Sequence, residues 1–353
     1  MRVALVGNWP RPYGGVAVHV AALAAALRRR GADVLVLDIG RGDHAGPGLR
    51  PARGPLRYAR GLLAAAAEER LVHLHTSGAN RKSWLVAFAA GHARRPAAPP
   101  GVLTLHSGSA PSFLRAAFAH RTLAKAACAG FGTVVAVNEE IAAALARAGV
   151  LHPRVVVLPA FSPELLEPGD PPPALGPFRA AHAPLLAAAL APEPVYGAEL
   201  LAAAFRLLRE RFPRAGLVVF GAGTDAPAWS GPGQLGMGEI GHGAALALLA
   251  QVDVFARPTL ADGDALSVRE ALAAGCVVVA SRVGHRPPGC LTFPPGDLPA
   301  LTARLAEAVT LEHRPPPTPP ADAFQALFDI YRAHTFRPAP PRRWRPSPPV
   351  ARL

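Results

Sequence analysis

Short runs rich in Val, Leu and Ala recur through the first half of this chain, each followed by a stretch of helical length. RVALVG, DVLVLD, LVHLH, GVLTLH, TVVAV and RVVVLP alternate with helical patterns over 15–30, 54–69, 83–92, 111–129 and 138–147. Such alternation predicts parallel strands joined by crossover helices, because a strand that must pair with a parallel neighbour needs a long return connection. The second half repeats the scheme. PLLAAAL, GLVVFGAG, VDVFARP, CVVVAS and CLTFPPGD are separated by helical patterns near 196–212, 241–250, 266–274 and 297–309. Between the two halves, residues 159–184 hold eight prolines and few periodic apolar positions, the composition of a connection.

The predicted fold class is therefore α/β, with two doubly wound, Rossmann-like domains. A chain of 353 residues also exceeds the usual size of one hydrophobic core. The expected limits are a first domain over 1–160, a Pro-rich linker over 161–183, and a second domain over 184–336. The last includes a closing helix near 320–334. RPAPPRRWRPSPPVARL, at 337–353, is too rich in proline and arginine to pack and is expected to be a disordered basic tail. Two such domains bring the carboxyl ends of both sheets to one crevice, where open α/β folds bind ligands. The chemistry is thus expected in the loops NWPRPYGG, HTSGANRK, HSGSAPS, GAGTDA, RPTLADGDALS and SRVGHRPPG.

Charge is unevenly distributed. Residues 1–150 hold 19 Lys and Arg against 7 Asp and Glu, whereas 151–336 hold 13 against 17. A basic front half suits an anionic membrane surface. Nucleic acid is not an expected partner, since no zinc finger, aromatic RNA motif or basic heptad region accompanies the charge. No uncharged apolar run long enough to span a bilayer and no signal peptide are read, so a cytoplasmic protein, peripheral on the inner face of the plasma membrane, is expected. Cys128, Cys276 and Cys290 lack metal-ligand spacing, and no metal or cofactor is expected.

ADGDALSVREALAAGCVVVAS, at 261–281, gathers Asp262, Asp264 and Glu270. Locally, Ser267 and Glu270 have capping-box spacing, and an aspartate would suit the positive end of a helix. Functionally, free amides at a helix start suit a diphosphate, while a nearby carboxylate accepts from sugar hydroxyls. Together these describe a site for a nucleotide sugar.

With these features the chain resembles the family 4 glycosyltransferases, whose GT-B architecture has two Rossmann-like domains facing a cleft. The resemblance rests on Gly14 and Gly15 after the first strand, GAG at Gly221 and Gly223, VDVFARPT, the acidic segment, EALAAGCVVVAS and FPPGD. It implies retaining transfer from a nucleotide-diphosphate sugar to a glycan or polyprenyl-linked acceptor, in cell-surface polysaccharide synthesis such as that of exopolysaccharide. The family's E-x7-E pattern falls on Asp262 and Glu270. By resemblance, Glu270 holds the donor ribose and Asp262 faces the sugar near its anomeric carbon. The amides of Gly263, Asp264, Ala265, Leu266 and Ser267 surround sugar and diphosphate, and Gly14, Gly15, Gly221 and Gly223 also contact the donor.

Two departures matter. The family's Arg and Lys that neutralise the diphosphate are replaced by Ala191 and Tyr196, so another cation is required; Arg257, Arg269, Arg282, His285 and Arg286 are available, and Arg286, which follows a strand end, is the expected substitute. The alternative is a catalytically impaired sugar-nucleotide-binding or scaffold protein. In the first domain His106 ends a strand and is expected to reach the crevice as a hydrogen-bonding group. His73 and His75 are expected to face opposite ways, with His75, nearest the strand end, on the acceptor side together with Arg81. His19 shares an apolar helical face and is expected in the core. A dinucleotide fingerprint at 221–226 is ruled out by the proline-containing segment that follows it, and G-x-S-x-G and a P-loop are absent from the sequence.

Overall fold

The structure, a computed structural model, describes residues 1–150, 154–311 and 322–335. The first sheet has β1 (Arg2–Gly7), β2 (Asp33–Asp38), β3 (Leu49–Pro51), β4 (Leu71–Thr76), β5 (Gly101–Leu105), β6 (Phe131–Ala136) and β7 (Val155–Val157). The second has β8 (Leu185–Ala189), β9 (Gly216–Phe220), β10 (Gln234–Gly236), β11 (Val254–Arg257), β12 (Val277–Ser281) and β13 (Leu291–Phe293). The orders are β3-β2-β1-β4-β5-β6-β7 and β10-β9-β8-β11-β12-β13. All named strands pair in parallel. Order reverses between β1 and β4 and between β8 and β11, and at each reversal the flanking loops leave on opposite faces and open a crevice.

Helices cover both faces of each sheet. On the first, α1 (Gly15–Arg29) lies on one face, and α2 (Pro55–Ala67), α3 (Arg81–His92), α4 (Ala110–Ala116), α5 (Phe118–Ala129) and α6 (Glu139–Arg147) lie on the other. The helical pattern expected over 111–129 is two helices, broken where Ala117 turns extended. On the second sheet, α8 (Ala198–Arg211) and α11 (Leu298–Ala308) oppose α7 (Leu175–Ala181), α9 (His242–Leu249) and α10 (Leu266–Ala273).

The last helix, α12 (Ala323–Thr335), differs from expectation. It packs on the first sheet beside α1, where Phe324, Leu327 and Tyr331 join the core around Val3, Leu5 and Leu23. Burying these three side chains contributes about 6 kcal/mol, which an exposed position on the second unit would forfeit. The connection is also shared: Phe161 and Leu165 pack on the first core and Leu175 on the second. The tail at 337–353 lies outside the described residues.

Main chain meets main chain where the halves touch. A Cβ on Gly108 would stand 1.7 Å from the Asp262 carbonyl oxygen, and one on Gly263 would stand 2.1 Å from that of His106. Asn138, which caps α6, donates from Nδ2 to the Gly263 carbonyl at 3.1 Å. Only glycine allows so close a seam.

Candidate active site

Above this seam, between the carboxyl ends of the two sheets, lies a cavity of about 970 Å³. Its first-sheet wall includes Gly14, Gly15, Lys82 and His106, and its second-sheet wall includes Ala191, Tyr196, Gly221, Arg257, Asp262 and Glu270.

The second wall is built around the start of α10. Ala265 is the cap residue and supplies no capping side chain. The first N–H groups of α10 are therefore left for a ligand or water. The capping box does not form, because the helix begins before Ser267 and Glu270 turns to His242. That contact joins His242 Nε2 and Glu270 Oε1 at 2.5 Å. Glu270 is only 5% exposed, yet it lines the cavity, and its Oε2 has no hydrogen bond among the described residues. Asp264 also lines the cavity, but its carboxylate is bound by Arg269 Nε at 2.8 and 2.9 Å. It offers main chain rather than charge.

Asp262 sits at the centre of a cationic network. Its Oδ2 accepts from Arg257 Nε at 3.0 Å, Arg286 Nη2 at 3.2 Å and Thr259 Oγ1 at 3.2 Å. Burial pushes the Asp262 carboxyl up, but Arg257 and Arg286 together outweigh it and hold the group below the usual carboxylate range. Arg286 also donates to the Ser281 carbonyl at 2.9 Å, is nearly enclosed, and does not line the cavity. Arg286, the expected compensating cation, therefore stands behind Asp262 and not at the cavity surface. Arg257 does line the cavity; it donates to the Ala189 carbonyl at 3.2 Å and lies 5.2 Å from the centre of the Tyr196 ring. It is the one arginine or lysine among the described residues of the second wall.

The glycines fall into two groups. Gly14 caps α1 without a side chain, and a Cβ on Gly15 would lie 3.9 Å from Leu266 Cβ, so the starts of α1 and α10 approach one another. Gly221 lines the cavity at φ +118°, where a Cβ would meet the Leu190 carbonyl at 2.1 Å. Gly223, at φ +75°, shapes the same turn without lining the cavity.

On the first wall, His106 is at the cavity and His75 is not. His73 and His75 share one face of β4, because residues two apart in a strand point the same way, and their rings are 4.0 Å apart. This corrects both the expected divergence and the acceptor-side role of His75, which is enclosed behind His106. His19 is buried as expected. Arg81 begins α3 with its Nε 3.4 Å from His120 Nε2 and does not line the cavity; the neighbouring Lys82 does. Sequence reasoning missed His242, Gly108 and Asn138. GHG before a helix and SGS after a strand were the available signals for the first two, and for Asn138 only its N-cap position.

Two family descriptions match the chain by sequence: Glycosyltransferase Family 4 over residues 13–161 and Glycosyl transferases group 1 over 184–310. No curated protein matches. Among solved structures, sucrose-phosphate synthase from Thermosynechococcus elongatus is similar at TM-score 0.67 and 18% identity, over 94% of this chain and 98% of that one. HepE of Anabaena in complex with UDP-glucose is similar at TM-score 0.63 and 17% identity, over 88% and 89%. The UDP-forming trehalose-phosphate synthase of Burkholderia vietnamiensis gives TM-score 0.60 and 16% identity, over 88% and 90%. The two sheets, their helices and these likenesses make the fold GT-B.

Proposed function

We propose, because this chain belongs to the family 4-type glycosyltransferases and has the GT-B fold, that it moves a hexose-like sugar with retention from a nucleoside-diphosphate donor to a glycan or lipid-linked acceptor. The pathway is cell-surface polysaccharide assembly. The observation that carries this reading is the second wall of the cavity, where an uncapped helix start, a carboxylate with one free oxygen and a single guanidinium stand together. HepE, whose fold this chain shares, was solved with UDP-glucose, which supports a donor of that class.

In this account Glu270 Oε2 accepts from the donor ribose, and the amides of Gly263 to Ser267, with Gly14, Gly15 and Gly221, enclose diphosphate and sugar. Arg257 takes the part first given to Arg286. The family's clamp is lost at Ala191 and Tyr196, and Arg257 lines the cavity with both and lies over the Tyr196 ring. Asp262 neutralises one of its two arginines, so the network keeps one net positive charge for the leaving diphosphate. Asp262 stabilises the oxocarbenium-like centre rather than attacking it. The incoming hydroxyl loses its proton to the departing diphosphate on the same face, which accounts for retention without a covalent intermediate.

The first half is the acceptor side. Its outer helices leave Leu56, Leu63, Leu85, Phe88 and Phe118 exposed, interleaved with Arg57, Arg60, Lys82, Arg115 and Arg121. Apolar residues among cations suit peripheral attachment to an anionic leaflet bearing a polyprenyl-linked acceptor. Among the described residues no helix is long and apolar enough to cross a membrane. Incubation with UDP- and GDP-sugars plus membrane-extracted lipid acceptor is expected to release nucleoside diphosphate. Donor binding without release would favour the impaired-scaffold alternative, and sedimentation indifferent to anionic lipid would remove the membrane role.

A further inference from the structure

Three more histidines stand behind His106, away from the cleft: His19 on α1, and His73 and His75 on β4. His75 lies 5.3 Å from His19 and 5.4 Å from His106 between ring centres, and His19 lies 5.4 Å from His106. Phe324 and Tyr331 of α12 and Thr104 of β5 complete the surround. No carboxylate or cation takes part in these contacts. Burial is the first cause that lowers the pKa of all four rings, and neighbouring histidines lower those of His73, His75 and His106 further. Each ring is therefore neutral near pH 7, with one N–H and one lone pair. No group among the described residues has an arrangement that would hold a metal ion.

Their hydrogen bonds leave few choices. Both nitrogens of His73 are used, Nδ1 with the Tyr331 hydroxyl and Nε2 with Thr104 Oγ1 at 2.7 Å. His75 Nδ1 faces His106 Nε2 at 3.1 Å, and one of these nitrogens must donate. His75 Nε2 is buried with no hydrogen-bond partner. If His106 donated, His75 would accept at Nδ1 and carry its own proton at Nε2, as an orphaned N–H. If His75 donates, only a lone pair is left unpaired at Nε2. Buried orphan N–H groups are the rarer case. His75 is thus the donor, His106 Nε2 the acceptor, and the proton of His106 sits on Nδ1. That nitrogen has no hydrogen bond within the described chain and belongs to a residue lining the cavity.

We infer that His75 is a positioning residue that holds His106 in its Nδ1–H form, so that His106 presents a hydrogen-bond donor, not a base, to a ligand oxygen in the cleft. The inference rests on the cleft as a nucleotide-sugar site. The oxygen belongs to the sugar rather than the nucleotide, since His106 packs against Gly263 beside Asp262. A donor at this position also leaves proton removal to the departing diphosphate.

The test uses the full chain with selectively ¹⁵N-labelled histidine. Long-range ¹H–¹⁵N correlation, with His75→Asn and His106→Asn for assignment, is expected to find both His75 and His106 protonated at Nδ1. Protonation of His106 at Nε2 overturns the inference. Asparagine places an amide N–H where His75 Nδ1–H stands, and glutamine places it at the Nε2 position. His75→Asn is therefore expected to bind UDP-glucose as the wild type does. His75→Gln is expected to bind it about tenfold more weakly with UDP affinity unchanged, the loss of one hydrogen bond. Equal UDP-glucose affinity in the Asn and Gln variants contradicts the proposal. If the wild type binds no UDP-glucose, the proposed donor class fails instead, while the ring-nitrogen spectrum still decides the tautomer.

Discussion

The two walls of the cleft stand at equivalent places, after the strands that flank the order reversal of each sheet, yet they bury polar groups in opposite ways. The first wall is backed by His19, His73, His75 and His106, which stay neutral because burial lowers their pKa values. The second buries Asp262, Asp264, Arg269 and Arg286 as ion pairs, with Glu270 bound to His242. A buried imidazole can give up its charge, whereas an arginine cannot and must be paired. Paired charges with a small positive excess suit an anionic handle. Neutral imidazole and main chain suit hydroxyl groups.

The strongest way to break this contrast is to part the walls. Gly108→Ala puts a methyl into the Asp262 carbonyl, and nucleoside diphosphate release is expected to fall on the order of a hundredfold with circular dichroism unchanged. Full turnover would mean that the walls need not meet. Next, Asp262→Ala leaves Arg257 and Arg286 enclosed without their counter-charge, at an expected cost of about 3 kcal/mol in urea unfolding. His106→Asn on the neutral wall is expected to cost about 1 kcal/mol. Equal losses would erase the distinction.

Acid separates the walls further. Burial pushes His19 down to about 4, while unfolded histidines titrate near 6.5, so between these values the unfolded chain binds more protons. The His19 contribution is whole above about pH 6.5 and is lost as pH falls toward 4, by about 3 kcal/mol at the bottom of that window. Asp262, with its pKa lowered in the folded chain, keeps its contribution above about pH 4 and loses it only below. His19→Leu should make urea stability fall less steeply between pH 6.5 and 4 without abolishing the fall, because His73, His75 and His106 stay buried, and an unchanged slope would show that His19 is not one of its sources. The smallest effect concerns Glu270→Gln, which keeps the shape but weakens the acceptor for ribose. About tenfold poorer UDP binding by calorimetry is expected, and none would remove Glu270 from the donor site.

Much of this was legible in the sequence because it is local or periodic. The longer strands are buried on both faces and read as near-continuous apolar runs. The missed strands, Leu49–Pro51 and Gln234–Gly236, are three-residue edges next to glycine, too short to show a period. The acidic segment was readable as a ligand site because amides and carboxylate fall within one helix start. Pairing was not readable: Arg257 and Arg286 differ only in which of them Asp262, Ser281 and the cavity surround, and tertiary contacts decide that. The enclosure of His75 behind His106 and the docking of α12 on the first sheet likewise depend on distant partners.

Calorimetric titration of UDP-glucose into the wild type and Arg257→Gln asks whether the ionic wall receives the diphosphate of an activated sugar. The expected result is binding by the wild type and a loss of about tenfold or more in the variant, with uridine affinity the same in both. Wild-type binding that Arg257→Gln leaves untouched, or no binding of any nucleotide sugar, would contradict it.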